Sequence, residues 1–466
     1  MTLPGEPLGA TTVNPATGAV FAFHPYMSSE DVSALLVEGK AAFEHWREIA
    51  VEQRLAVFAR MGQIFRDRCE AFARTITAEM GKPVTQARAE VLKCASTCDW
   101  YAQNGAKFIA DEPTSVAHDA ARVSYEPIGL VLGIMPWNYP FWQAIRAIVP
   151  ILLSGNGFVL KHAPNSVSTA INVVTAIEEA GAPRGLVSLL NADHDTVARV
   201  IADDHIAAVT LTGSVRAGSA VAALAGKAVK KTVLELGGSD PFIVLADADL
   251  AAAVDTAVSA RFQNAGQTCI AAKRIILEAP IADEFTERFV AATAKLRIGD
   301  PTSGETELGP MAREDLCIEL ADQIARSIAA GAVPLLPGGR FGEPGAAFFR
   351  PVILGGVKPG MPVFDEETFG PCAAIVIASD AQDAVRLANQ SQFGLSGAIW
   401  TADLDKARDL ARRIETGGVF INGMSRSDPR TPIGGVRKSG YGRELSYFGV
   451  REFTNAKTTW VDGASS

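Results

Sequence analysis

The 466-residue chain has only six cysteines and no Cys-x-x-Cys pair, which leaves neither a disulfide framework nor a zinc motif to build on. Such cysteine usage fits a reducing cytoplasm. Long apolar runs are also missing: the richest stretch, Ile145 to Leu153, is broken by Arg146 and Pro150 and falls short of a membrane span. The net charge of −9 is scattered rather than gathered into blocks, which speaks against nucleic acid or an anionic membrane as a partner. Met1 to Glu6 lacks the basic start and apolar core of a secretory signal. No internal repeat or low-complexity tract appears. What is present is an ordinary globular composition, 48% hydrophobic and 20% charged, with material for large cores and a length of about three domain-sized units.

The N-terminal part reads mainly helical. Ser29-Glu30-Asp31 opens one amphipathic run, and Val51 to Thr77 carries apolar residues at helical spacing. Beyond Asp111-Glu112-Pro113 strands and helices alternate. Strands are expected at Gly129–Ile134, Gly157–Lys161, Gly185–Leu190 and Ala207–Leu211, with helices between them. That order implies an α/β fold with a parallel sheet covered on both faces, because parallel crossovers must carry helices. The strands are nearly continuous apolar runs, as such a sheet requires. A second alternating unit begins near Asp249, with helix Leu250–Gln263 and strands at Arg274–Leu277, Ala373–Ile377, Gly397–Thr401 and Gly418–Ile421. Leu336–Gly345 reads as a Gly- and Pro-rich loop. Lys457 to Val461 reads as an isolated edge strand with little to pair with, a plausible subunit interface.

Three segments carry chemistry. Gln263-Asn264-Ala265-Gly266-Gln267-Thr268-Cys269 sets a thiol in a small, flexible context. A free thiol is only about 3% thiolate near neutral pH, so a local feature, such as a helix N-terminus following Cys269, must raise that fraction. The other cysteines read as buried and inert. Glu235 ends an apolar strand ahead of Gly237-Gly238, where burial should raise its pKa and suit it to general base work. Any single glutamate is more often a salt-bridged or capping residue. Asn138, in Pro136-Trp137-Asn138-Tyr139-Pro140, offers a carboxamide donor to a developing oxyanion, with the Cys269 N–H as the second donor. An Asx-turn is its structural alternative. Thiol, carboxylate and carboxamide together suit acyl chemistry at a carbonyl carbon. Thr212 to Gly218 follows a strand and opens a helix, so its backbone N–H groups and the Ser214 hydroxyl can hold a pyrophosphate.

These segments together resemble the aldehyde dehydrogenase superfamily over nearly the whole chain. The resemblance implies a Rossmann-type NAD(P)-binding domain (1–110 and 127–238), an α/β catalytic domain (239–430) and a small β oligomerisation arm (111–126 and 431–466) in a dimer or tetramer. By that resemblance Cys269 attacks an aldehyde and Glu235 activates the water that hydrolyses the thioester. No metal is implied, because charge on the tetrahedral oxygen drives hydride departure. Gly213, Ser214 and Gly218 match the family's Gly-Ser-x-x-x-Gly turn, and Lys161 matches a lysine that reaches the adenine ribose. Glu367 matches the glutamate on the nicotinamide ribose and Phe369 lines the ring site, with Pro136, Trp137, Ala163 and Leu236 completing the expected cofactor contacts.

Cofactor and substrate preference rest on departures from that pattern. Where NAD-preferring members often carry a glutamate three residues past the lysine, this chain has Pro164, so a 2′-phosphate meets no repulsion and keeps Lys161 as a counter-charge. NADP is therefore expected to be accepted, with the lean toward NADP over NAD and NAD left open. Within the superfamily the motifs are most similar to bacterial succinate-semialdehyde dehydrogenases. Arg146, two helical turns after Asn138, matches one arginine that grips the far carboxylate; the second is Gln263 here, with Arg426 or Arg430 as substitutes and Ser427 as a donor. A solvent-facing or salt-bridged role is the alternative for each arginine. Trp142 and Phe262 form an apolar wall or belong to the core. Ala271 stands where some relatives keep a second cysteine, so a reversible disulfide with Cys269 is not available. Glutarate semialdehyde, an apolar aldehyde, or a non-catalytic dinucleotide-binding role remain the competing readings.

Overall fold

The computed structural model describes residues 8–116 and 120–462; Met1 to Glu6, read above for a secretory signal, lie outside the described residues. The chain opens with β1 (Gly9–Val13) and β2 (Val20–Pro25), a hairpin inside the stretch expected to be mainly helical. Helices α1 (Ser29–Glu48), α2 (Val51–Asp67), α3 (Cys69–Met80) and α4 (Val84–Asn104) follow. Ser28 caps α1 by accepting the Asp31 N–H, and Glu30 and Asp31 face the positive end of its dipole. The amphipathic run from Val51 is divided at Arg68, which lies between α2 and α3.

After β3 (Glu112–Pro113) and β4 (Ala121–Pro127), strands and helices alternate as β5 (Leu130–Met135), α5 (Pro140–Leu153), β6 (Gly157–His162), α6 (Val167–Glu179), β7 (Val187–Leu189), α7 (His194–Ala202), β8 (Ile206–Thr212), α8 (Val215–Lys227) and β9 (Lys231–Glu235). The second unit runs through β10 (Asp240–Val244), α9 (Leu250–Phe262), β11 (Ala272–Glu278), α10 (Ala282–Thr293), α11 (Glu314–Ala329), β12 (Val333–Leu336), β13 (Gly339–Phe341), β14 (Phe348–Arg350) and β15 (Val352–Gly355). It continues with α12 (Pro362–Asp365), β16 (Cys372–Ala378), α13 (Ala381–Asn389), β17 (Gly397–Trp400), α14 (Leu404–Arg413) and β18 (Val419–Ile421). β19 (Gly440–Tyr441), α15 (Ser446–Glu452) and β20 (Thr454–Trp460) end the described chain.

The first sheet has the order β19-β9-β8-β5-β6-β7, with every pairing parallel except β19 on β9. The strand order reverses between β5 and β8, and in open α/β sheets the crevice beyond the carboxyl ends at such a switch point is where ligands bind. The second sheet, β12-β15-β16-β11-β10-β17-β18, is parallel apart from β12. The α/β class expected from the sequence is thus the observed one.

Two expectations need correction. Lys457 to Val461 is not an unpaired strand: β20 pairs antiparallel with β4 over seven residues, from Thr454↔Pro127 to Trp460↔Ala121. Its partner lies more than 300 residues earlier in the chain, a pairing that local pattern does not reveal. The Leu336–Gly345 stretch is not wholly loop either, because β13 within it pairs with β14.

The largest apolar cluster lies between α2–α6 and the first sheet. Within it Glu90 of α4 accepts the N–H groups of Phe141 and Trp142 at 2.9 and 3.0 Å, which satisfies the first turn of α5. Glu90 is in turn ion-paired with Lys82, and both side chains are almost fully buried. Asn138 sits two residues ahead of α5, so this pair fixes where the carboxamide starts.

Candidate active site

The carboxyl ends of β5, β8 and β9 face the α9–β11 loop across a cleft of about 610 Å³, and Asn138, Glu235 and Cys269 all line it. The loop is held in an unusual shape. Asn264, Ala265 and Gly266 have φ of 55, 53 and 71°, a left-handed run that costs on the order of 1–3 kcal/mol for each non-glycine residue unless the surroundings enforce it. They do. Asn264 donates to the carbonyls of Asn138 and Gln267 at 2.8 and 3.2 Å, and Gln86 accepts the Asn264 N–H at 2.8 Å. The fully buried Arg261 donates to the carbonyls of Gly266, Thr368, Gly370 and Cys372. A Cβ on Gly266 would lie 2.4 Å from the Gly370 oxygen.

Cys269 follows this run in a turn before β11. The expected helix N-terminus behind the thiol is absent; a strand begins at Ala272 instead. Its environment also differs from expectation: burial pushes the Cys269 thiol up to about 11, while Arg146 and Lys273 pull it down and Glu235 and Glu367 oppose them. Lys273 is the cation that sequence reading missed. Its ammonium donates to the carbonyls of Cys269 and Gly238 at 2.8 and 2.6 Å and pairs with Glu367 at 2.8 Å.

Asn138 donates one amide hydrogen to the Gln267 carbonyl at 3.1 Å, two residues before Cys269, which leaves its second amide hydrogen free to donate into the cleft. Glu235 closes β9, and burial raises its carboxyl to about 8, as the sequence reading anticipated; Arg146 lowers and Glu444 raises it in turn. Glu444 reaches this region because β19 pairs Gly440 with Glu235 and folds the C-terminal segment back over the strand.

Arg146 requires the main correction among the substrate residues. Its guanidinium is 2% exposed, ion-paired with Glu444, 3.9 Å from Glu235 and hydrogen-bonded to Thr212 at 3.2 Å. Its charge is spent on carboxylates of the protein, so it does not stand as a free cation in a substrate funnel. Phe262 is core, 2% exposed and stacked on Phe289. Arg430 is clasped by Asp428 at 2.7 Å and Arg426 is exposed. Gln263 donates to the Tyr139 hydroxyl at 3.0 Å, and that hydroxyl meets Thr268 Oγ1 at 3.2 Å. Trp142 and Ser427 both meet Lys93, a residue that motif spacing did not single out.

At the other end of the cleft Pro136, Trp137, Gly213, Ser214, Leu236, Glu367 and Phe369 line the wall, with Arg216 as an unanticipated cation. Ser214 caps α8 by accepting the Ala217 N–H at 3.2 Å. The floor is closely packed at its glycines: a Cβ on Gly237 would fall 2.1 Å from the Glu367 carboxylate and one on Gly218 2.5 Å from the tip of Leu236, so each would displace that side chain. Lys161 lies at the end of β6, 8% exposed, and burial alone lowers its pKa, with no carboxylate beside it. Lys161 and Ala163 stand outside the cleft proper, along the neighbouring strand end. A helix N-terminus, two uncompensated cations and a bare glycine floor fit a dinucleotide phosphate chain.

A doubly wound sheet with its crevice at the switch point, closed by a cysteine loop, defines a thiol-bearing dinucleotide enzyme. The aldehyde dehydrogenase family model matches residues 6–459, and the chain belongs to that family. It is 52% identical to the succinate semialdehyde dehydrogenase [NAD(P)+] of Escherichia coli K12 over 97% of this chain and 98% of the relative. It is 42% identical to a probable NADP-dependent succinate-semialdehyde dehydrogenase of Synechocystis, covering 97% of this chain and 100% of that one. The crystal structure of the Streptococcus pyogenes succinic semialdehyde dehydrogenase with NADP+ superposes with a TM-score of 0.94 at 34% identity, over 97% of this chain and 99% of that one.

Proposed function

We propose that the protein oxidises succinate semialdehyde to the dicarboxylic acid with NADP, and also NAD, as hydride acceptor. The observation that carries this reading is the meeting of Cys269, Glu235 and Asn138 on one cleft whose far end is the β8–α8 turn. The names of the relatives support the choice of aldehyde. The Cys269 thiol gives up its proton to solvent as its sulfur bonds to the aldehyde carbon, and the free amide hydrogen of Asn138, with the Cys269 N–H, steadies the oxygen as it becomes negative. The Ser214 turn, Lys161 and Glu367 would hold a nicotinamide dinucleotide, whose chemistry would be to accept the hydride that this carbon loses on becoming a thioester. Glu235 then takes a proton from water, whose oxygen attacks the thioester carbon, and the acid leaves as Cys269 is regenerated.

The test is steady-state kinetics with succinate semialdehyde and each dinucleotide, read by near-ultraviolet absorbance of the reduced coenzyme. Turnover with NADP, lost in Cys269→Ala, is the expected result. A Cys269→Ala protein that still turns over defeats the reading. We propose further that the sheet β20-β4-β3 is the arm of a homo-oligomer, with the division into cofactor, catalytic and arm segments set out from the sequence. Among the described residues no helix is long and apolar enough to cross a membrane, and a cytoplasmic enzyme is the reading we adopt.

A further inference from the structure

With Arg146 and Arg430 paired to carboxylates of the protein and Arg426 exposed to solvent, the far carboxylate of a semialdehyde acid calls for a partly buried positive partner. We infer that Lys93 of α4, held by Ser427 and seated on Trp142, is the residue that binds that carboxylate and selects charged over uncharged aldehydes. The inference rests on the substrate class proposed above.

Three chain segments build the site. Lys93 Nζ donates to Ser427 Oγ at 2.6 Å, and it lies 4.1 Å from the centre of the Trp142 ring. Ser427 belongs to the loop between β18 and β19, and Trp142 lies on α5. No carboxylate of the described residues is ion-paired with this ammonium, unlike Lys82 and Lys273 nearby, each of which is neutralised. An ammonium has three donors. Ser427 uses one. Burial lowers the Lys93 pKa to about 8; Cys94 and Glu90 on its own helix and Asp428 across the loop favour the charge, whereas Arg146 on α5 opposes it. A carboxylate arriving from solution would complete the missing pairing.

The site also stands where a short chain can reach it. Trp142 lies in the first turn of α5, and Gln143, the next residue, lines the cleft that holds Asn138 and Cys269. Tyr139, between Asn138 and the start of α5, meets Gln263 and Thr268 of the cysteine loop through its hydroxyl. With the aldehyde carbon at Cys269, a chain bound by Lys93 would direct its far end toward the Trp142 face. Arg146, one turn along α5 from Trp142, bears on both groups, opposing the Lys93 charge and favouring the Cys269 thiolate.

The experiment compares kcat/KM for succinate semialdehyde with kcat/KM for butanal, an uncharged aldehyde of equal length. In Lys93→Met the ratio is expected to fall by about 10- to 100-fold, the range of a charge-assisted hydrogen bond, and mainly through the KM for the semialdehyde. Lys93→Arg should restore most of the ratio. A folded Lys93→Met protein with an unaltered ratio, or Lys93→Arg no better than Lys93→Met, overturns the role of Lys93. Should Lys93→Met fail to fold by circular dichroism, Lys93→Gln against Lys93→Arg serves with the same criteria. Unsubstituted protein that handles butanal as well as succinate semialdehyde overturns the substrate reading itself, an outcome visible before any variant is made.

Discussion

Glu235 and Cys269 are both driven toward their neutral forms by the same cause, removal from water, yet with different consequences. A carboxyl raised to about 8 gains basic strength, because it is the deprotonated form that draws a proton from water. Hydrolysis of the thioester should therefore accelerate as pH rises through about 8 and level off above it, measurable as kcat against pH when deacylation limits the rate. Glu235→Gln should stop at the thioester. A burst of reduced coenzyme equal to the protein concentration, followed by turnover at least about a hundredfold slower, is the expected trace. The thiol, raised to about 11, should react slowly with iodoacetamide at neutral pH in the free enzyme, its alkylation rate climbing about tenfold per pH unit until near 11. Mass spectrometry of the Cys269 peptide reads this directly. Glu235, Cys269 and Asn138 were legible because each sits in a short, distinctive run. Lys273, Lys93 and Glu444 were not, since each becomes a partner only when segments far apart in sequence meet. Arg146 shows the opposite failure. Helical spacing placed it correctly on α5, but not the Glu444 carboxylate that occupies it.

Elements position these side chains through their ends. α5 begins on Glu90, and Glu90 is balanced by Lys82, so one buried ion pair on α4 decides the height at which Asn138 enters the cleft. Glu90→Ala should lower stability by about 3–5 kcal/mol, because it strands a buried ammonium as well as the helix N–H groups. Thermal unfolding followed by circular dichroism measures the loss, and Glu90→Gln, which keeps an acceptor for α5, should cost less. The loop that carries Cys269 is fixed with comparable firmness. Gly266→Ala combines a φ of 71° with a Cβ 2.4 Å from the Gly370 oxygen, so activity should fall far more than helix content. The parallel strands were readable from apolar runs near the right positions, and most boundaries moved by only a few residues. The β1–β2 hairpin and the β13–β14 pair were not readable, because strands of three to six residues leave little periodicity to detect.

At the scale of the molecule, β20 is an edge strand of the sheet β20-β4-β3, and Trp460 at its end is 57% exposed. An edge of seven residues offers unpaired backbone that a second subunit can use. Thr458→Pro removes a donor from this strand, and the predicted outcome is a shift toward monomer in size-exclusion chromatography with light scattering. A protein already monomeric before substitution would contradict the arm assignment. The sequence suggested an interface here, but it placed the strand alone; the partner β4 became visible only when both ends of the arm were seen together.

The groups we propose to react are divided between two halves of the molecule: Asn138 and Glu235 ride on one sheet, Cys269 on a loop of the other. Bridges holding those halves in register at the centre include Asn138 to Gln267, Asn264 to Asn138, Lys273 to Gly238 and the Tyr139 hydroxyl to Gln263 and Thr268. Catalysis is consequently a gauge of how well the two lobes are docked, and mild urea should extinguish it while each lobe still keeps its far-ultraviolet signature.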